Sequence, residues 1–243
     1  MSTTLRTAIE VTDRWVDAED ERSELERILA DARLLKKFHE TITSFNLPTT
    51  VTRPFTIGVT AAVYDEGATS VALGIAASLA CDNPTRVAIA DCDLGWPSLH
   101  RRLNVPVAPG LGEIIAQRAT KDEALRQTLL PNLRALSAGQ RPQRGVLAAL
   151  ALRGWLTQFL QQAETDYLVL DLPPVNVDLG THILAALADA VILVVRAGAT
   201  PRKEVQAALN RLEPTRLAGI VVNEAQPGIP DWLSNALATL SGE

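Results

Sequence analysis

Residues 60–70 read Thr-Ala-Ala-Val-Tyr-Asp-Glu-Gly-Ala-Thr-Ser, and carboxylates recur further on at Asp91, Asp93 and Asp171. A loop that binds phosphate commonly ends Gly-Lys-[Ser/Thr]. Its amides cradle the phosphates, its lysine reaches the β- and γ-phosphates, and its hydroxyl holds Mg²⁺. Gly67 and the hydroxyl pair Thr69–Ser70 keep that frame, but Ala68 stands at the lysine position. The expected ligand is Mg-ATP or ADP, with binding weakened or lost for want of the cation. A lysine beside a phosphate oxygen is worth a few kcal/mol even at an effective dielectric of about 20. Asp65 and Glu66 add two acids to the same loop, and carboxylates without a base repel phosphates. The acids Asp91, Asp93 and Asp171, with the Thr69 hydroxyl, have the chemistry to hold a hydrated hard cation. Asn223 offers both a donor and an acceptor. Each residue also has a plainer reading. An Asp in a loop is often solvated or caps a helix, and an Asn after a strand is commonly a turn residue.

These residues need a scaffold that brings them together. Phe55–Thr60, Arg86–Asp91, Leu133–Ser137, Tyr167–Asp171, Ala190–Arg196 and Leu217–Asn223 are short apolar runs that read as strands. Helical patterns lie between or after them at Thr69–Ala80, Leu111–Arg118, Asp122–Leu130 and Gly145–Ala163, and at roughly 178–188, 201–212 and 230–241. The alternation predicts an α/β fold with a mainly parallel sheet and helices on both faces. Ligands on such sheets bind at the carboxyl ends of strands. The 61–70 loop, Asp91, Asp171 and Asn223 all lie just past a strand. Residues 1–50 read as an N-terminal helical appendage and linker, and 51–243 as the α/β domain. In the appendage Leu25, Ile28, Ala32, Leu35, His39 and Ile42 are spaced alternately by three and four. This is a weak heptad seam, because Ala32 and His39 are poor seam residues. It serves either a helix packed on its own domain or an oligomerisation or docking helix. Leu47-Pro48-Thr49-Thr50 and Arg53-Pro54 read as the linker.

Composition narrows the function. Hydrophobic residues make up 47% and aromatics 4%, so the core is built from Val, Ile, Leu and Ala, as buried parallel strands require. A net charge of −5 and a pI of about 5.3 argue against nucleic-acid binding. Cys81 and Cys92 make no disulfide framework, and His39, His100 and His182 lie too far apart to suggest a zinc site. The cysteines fit a reducing compartment. No apolar run reaches the roughly 18–20 residues that span a bilayer, and the N-terminus lacks a charged-then-apolar leader. The expected location is cytoplasmic, with any membrane association made through a partner. Ser98 and His100 suggest no triad, and no nucleophile elbow occurs. Arg101-Arg102 and Arg202-Lys203 read as solvated helix residues.

Three segments carry a resemblance. The first is residues 56–70. The second is Val87-Ala-Ile-Ala-Asp-Cys-Asp-Leu-Gly-Trp-Pro-Ser-Leu-His100, followed by Pro109-Gly-Leu-Gly-Glu113. The third is Asp166-Tyr-Leu-Val-Leu-Asp-Leu-Pro-Pro174, followed by Ala190–Gly198. In this order they resemble the bacterial tyrosine kinase (BY-kinase) family of capsule and exopolysaccharide systems, within the MinD/ParA class. The resemblance covers roughly residues 50–225 and implies a P-loop NTPase-like fold. The family's loop pattern is Ser-Ala-x-Pro-Gly-Glu-Gly-Lys-Thr; here Ala61, Tyr64, Asp65 and Ala68 depart from it. Asp91 and Asp93 match the acids of the family's hydrophobic-Asp-x-Asp-x-Arg motif, with Gly95 at the arginine position and Trp96 after it. By resemblance those acids position Mg²⁺ and activate the attacking hydroxyl. Asp171 would hold Mg²⁺ through water, with Thr69 as a further metal ligand. Gly67, Ala68, Thr69, Ser70 and Asn223 would form the nucleotide site, with Asn223 reading adenine.

Two other family features are altered. The family's C-terminal tyrosine cluster has no counterpart, since the chain's tyrosines are Tyr64 and Tyr167. The N-terminal Glu-x-x-Arg-x-x-Arg assembly motif is half kept, as Glu24-Leu-Glu-Arg27, with Ala30 at the second arginine position. The resemblance therefore implies two functions. One is a catalytically impaired kinase, a pseudokinase. It would act as a binding or regulatory partner of a membrane polysaccharide co-polymerase or an active kinase paralogue, and would self-associate as the family does. The other is a deviant Mg-ATP-dependent ATPase or tyrosine kinase, with the missing cation supplied by Lys36, Lys37, Arg101 or a partner's arginine. The joint loss of the lysine, the loop glycine, the motif arginine and the tyrosine cluster favours the first. A MinD/ParA-like positioning factor lacks support, because Trp232, Leu233, Leu237 and Leu240 pattern a packed helix rather than a membrane-surface one.

Overall fold

The computed structural model describes residues 9–11, 22–48, 51–81, 84–140, 145–162 and 165–224. The helix expected at 230–241 lies outside them. β1 (Ile9–Val11), α1 (Glu24–Ala30) and α2 (Ala32–Ser44) precede β2 (Phe55–Ala61) and the loop that opens α3 (Ala68–Cys81). Next come β3 (Val87–Asp91), α4 (Leu99–Arg102), α5 (Leu111–Ile115), α6 (Lys121–Ala124), β4 (Leu125–Gln127) and β5 (Leu133–Leu136). α7 (Val146–Gln162), β6 (Tyr167–Asp171), α8 (Thr181–Ala185), β7 (Ala190–Arg196), α9 (Arg202–Leu212) and β8 (Leu217–Asn223) complete the described chain.

The strands form one sheet in the order β1-β8-β7-β2-β6-β3-β5-β4. Every pairing is parallel except β4 with β5. Alternate strand residues feed two cores, as the period of two demands. Leu168, Leu170, Val191, Leu193 and Val222 join the core under α5, α7, α8 and α9. Ile57, Val59, Ile89, Val169 and Ile192 join the core under α1, α2, α3 and α4. Both faces are thus covered, and the strands read as continuous apolar runs because neither face meets water.

α3 is buried along nearly its whole length. It lies between the sheet and α1 and α2, which is why its apolar residues run all round it. Its Gly74 admits the ring of Phe38 from α2: a Cβ there would meet the ring at 2.1 Å. Leu25, Ile28, Leu34 and Ile42 join the same contact. The N-terminal helices thus wall one side of the domain.

Three elements differ from the sequence reading. The helical spacing over 25–42 is split at Asp31, which adopts extended backbone (φ −104, ψ 94) and accepts hydrogen bonds from the amides of Arg33 (2.9 Å) and Leu34 (3.1 Å). An N-cap inside the pattern restarts the helix. The helix expected over Asp122–Leu130 ends at Ala124, and Leu125–Gln127 instead pair antiparallel with β5 at the sheet edge. β1 pairs with β8 through only three residues, too few for a periodic signal. Among the described residues no helix is long and apolar enough to cross a membrane.

Candidate functional site

The carboxyl ends of β2, β6 and β3 finish side by side. Register places Val59 and Asp91 on either side of Asp171. Above them opens a cleft of about 510 Å³, lined in part by Tyr64, Ala68, Thr69, Asp93, Trp96 and Arg102. This is where a parallel sheet presents a ligand site.

The loop is braced from within. Glu66 is turned inward and is 3% exposed. Its Oε2 accepts from the amides of Ala62 (2.7 Å) and Val63 (3.1 Å), and Oε1 accepts from the Thr200 hydroxyl. Burial raises its pKa above the usual carboxylate range, outweighing those three hydrogen bonds. Glu66 is therefore a strut that occupies two loop amides, rather than one of two acids that repel phosphate. Asp65 is the acid at the surface. It sits at φ 64, a conformation that costs most side chains and suits glycine. Gly67, at φ +88, needs its missing side chain, because a Cβ would meet Asn223 Nδ2 at 2.1 Å.

Asn223 lies beneath the loop. Its Nδ2 donates to the Glu66 carbonyl at 3.0 Å, and its Oδ1 is buried without a hydrogen-bond partner. It is absent from the cleft lining.

The acids are brought together. Asp91 is fully buried; its Oδ2 accepts from the amides of Ser98 and Leu99, both at 3.1 Å, and so anchors the start of α4. Burial pushes its pKa up to about 7; the Leu99 amide pulls it down and the charge of Asp93 pushes it further up. Asp171 is 2% exposed. Burial and then the charge of Asp91 drive its pKa well up, against the Thr69 hydroxyl bond and the Arg102 charge. Asp93 closes its own turn, accepting from the amides of Gly95 (3.0 Å) and Trp96 (2.9 Å).

Asp91 Oδ1 and Asp171 Oδ2 are both buried and without a hydrogen-bond partner. Two dry carboxylates on adjacent strands cannot both ionise without a cation. With the Thr69 hydroxyl beside Asp171, they fit a hydrated hard cation such as Mg²⁺, which keeps much of its water. No group of three or more His, Cys, Asp or Glu among the described residues is placed to ligate a metal. Asp91 and Asp171 would act through the metal's water, and Thr69 through its hydroxyl.

Some cleft residues were not legible as such. Tyr64, at the family's proline position, meets Trp96 edge to face, with ring centroids 6.4 Å apart. This pair joins the loop to the Asp93 turn. Arg101, exposed as expected and already a candidate for the missing cation, lines the cleft; Arg102 lines it too but is half-buried rather than solvated. Arg102 pairs with buried Glu24 and donates from Nη1 to Ser70 Oγ at 3.1 Å. Ser70 is thus tied to an arginine. Lys36, by contrast, pairs with Glu40 on the surface of α2, with its side chain 76% exposed.

No protein-family model matches the chain. Tyrosine-protein kinase ptk of Acinetobacter johnsonii is 27% identical over 154 residues, 62% of this chain and 21% of that protein. The succinoglycan biosynthesis transport protein ExoP of Rhizobium meliloti (strain 1021) is 29% identical over 175 residues, 69% of this chain and 22% of that protein. The chain thus spans about a fifth of the length of these relatives. The kinase domain of the Escherichia coli tyrosine kinase ETK superposes with a TM-score of 0.74 at 20% identity, covering 93% of this chain and 94% of that one. The cell division ATPase MinD of Pyrococcus furiosus gives 0.59 at 18% identity, covering 76% and 79%. The homologues of this chain are bacterial tyrosine kinases of capsule and exopolysaccharide systems, and its fold is that of their kinase domains and of MinD-type P-loop ATPases.

Proposed function

We propose that this chain is a catalytically impaired relative of the bacterial tyrosine kinases that acts by contact in polysaccharide biosynthesis or export. Its partner would be a membrane polysaccharide co-polymerase or an active kinase paralogue, with possible self-association. The observation that carries this reading is Ala68. It lines the cleft at the position where the phosphate-binding lysine belongs, above acids with no matching free cation in the loop. A relative named as a succinoglycan biosynthesis transport protein supports the pathway. Residues 1–50, read from the sequence as an appendage to the 51–243 nucleotide-fold domain, would supply the surface for such contact through α1 and α2.

Calorimetric titration with Mg-ATP and Mg-ADP tests this reading. The expected result is binding weaker than millimolar and no turnover. Micromolar binding with turnover would overturn it.

A second reading rests on a separate observation. Asp91 and Asp171 are in register, each with an orphaned buried oxygen, and Thr69 is beside them. A deviant ATPase or tyrosine kinase would use this set to hold Mg²⁺-nucleotide, which would neutralise phosphate charge there. Hydrolysis by the wild type that Asp91→Ala abolishes would favour it.

A further inference from the structure

We infer that Arg102 takes the lysine's part as the cation of this cleft, and that Glu24 of α1 holds it in check. The inference rests on reading the cleft as a phosphate site that lacks its lysine. The ligand class is a diphosphate or triphosphate group.

Arg102 ends α4, whose start Asp91 anchors through the amides of Ser98 and Leu99. One acid of the site thus places the helix that carries the cation. Arg102 Nε donates to Ser98 Oγ at 3.3 Å, and Nη1 donates to Ser70 Oγ at 3.1 Å, one residue past Thr69. The guanidinium is therefore fixed beside the first turn of α3, where a loop lysine would start. Its charge acts on Asp171. It lines the cleft, and its side chain is 33% exposed.

The same Nη1 pairs with Glu24, whose side chain is 2% exposed. That pairing cancels the charge a polyanion would meet. Asp91, Asp93 and Asp171 remain on the acidic side of the site, so an incoming phosphate gains little net attraction. The contact is not fully satisfied, because Glu24 Oε1 is buried without a hydrogen-bond partner. An ion pair made through one nitrogen, with an unpartnered buried oxygen, holds less firmly than a bidentate one. Glu24 sits on a seven-residue helix anchored by Leu25 and Ile28. Any contact that draws α1 away would uncover Arg102.

The test is titration of the full chain with magnesium pyrophosphate and Mg-ADP, with near-ultraviolet circular dichroism to confirm folding. Glu24→Gln should tighten binding about tenfold or more, by removing a buried countercharge. Arg102→Gln should abolish that gain, and Arg102→Lys should keep part of it, since charge survives but the fork does not. Arg211→Ala, an exposed charge on α9 outside the cleft lining, should change affinity by less than about twofold. If Glu24→Gln fails to fold, the Arg102 variants decide: Lys must outbind Gln. The inference is overturned if Glu24→Gln binds no tighter than wild type, if Arg102→Gln leaves the gain of Glu24→Gln intact, or if Arg101→Ala removes that gain instead. Absence of binding in every variant also overturns it, yet leaves the contact function standing. Turnover by wild type overturns the contact function, and the Arg102 comparison is then read on its own.

Discussion

Glu66 shows how far a single side chain can be from its sequence meaning. It was read as a repelling charge at the mouth of the loop, but it holds the loop together. Glu66→Ala would strand the Ala62 and Val63 amides and the Thr200 hydroxyl. The expected cost is about 2–3 kcal/mol in denaturant unfolding. The pH profile separates the charge from the contacts. Burial sets the folded pKa of Glu66 above its unfolded value. The stability tied to it is therefore whole below the unfolded pKa of about 4.3 and shrinks as pH rises through the folded value. Glu66→Gln should flatten that decline while keeping most of the hydrogen bonds. Asp65 offers the opposite case. At φ 64 it is a glycine position held by an exposed acid, so Asp65→Gly should raise stability by about 0.5–1 kcal/mol in the same assay.

At the scale of elements, the paired strand ends and the N-terminal helices carry the energetics. β3 and β6 set Asp91 beside Asp171 in a dry site. Asp171→Asn should relieve their repulsion and stabilise metal-free protein by about 1–2 kcal/mol at pH 8. Millimolar Mg²⁺ should raise the wild-type Tm and leave the variant unmoved; equal shifts would exclude Asp171 from any metal site. Phe38 fills the space over Gly74 that binds α2 to α3, so Phe38→Ala should cost about 3–4 kcal/mol. These elements were unevenly legible. The buried strands were plain, since runs such as Ala190–Arg196 have no other use than a covered sheet. The split at Asp31 was not, because the apolar spacing runs on through it and only the cap geometry breaks it. β4 was not legible either: Leu125–Gln127 has no alternation and takes its conformation from β5.

Across the whole molecule the site is an assembly of distant parts. The loop frame, the three acids and the missing lysine could be read locally. The Glu24–Arg102 pair joins residues 78 apart, and the Asn223–Glu66 bond joins residues 157 apart. No local pattern encodes such contacts. On the proposed reading they make a phosphate cleft whose charge balance is altered. Asp91 and Asp171 each keep one buried oxygen without a hydrogen-bond partner, one arginine is held by a glutamate, and Ala68 stands at the position proposed for the lysine. The most direct measurement is ATP turnover by wild type and Ala68→Lys, side by side with Mg²⁺. The expected result is background turnover by wild type and a gain in the variant. Turnover by wild type that Asp91→Ala abolishes would contradict a function of contact without phosphoryl transfer.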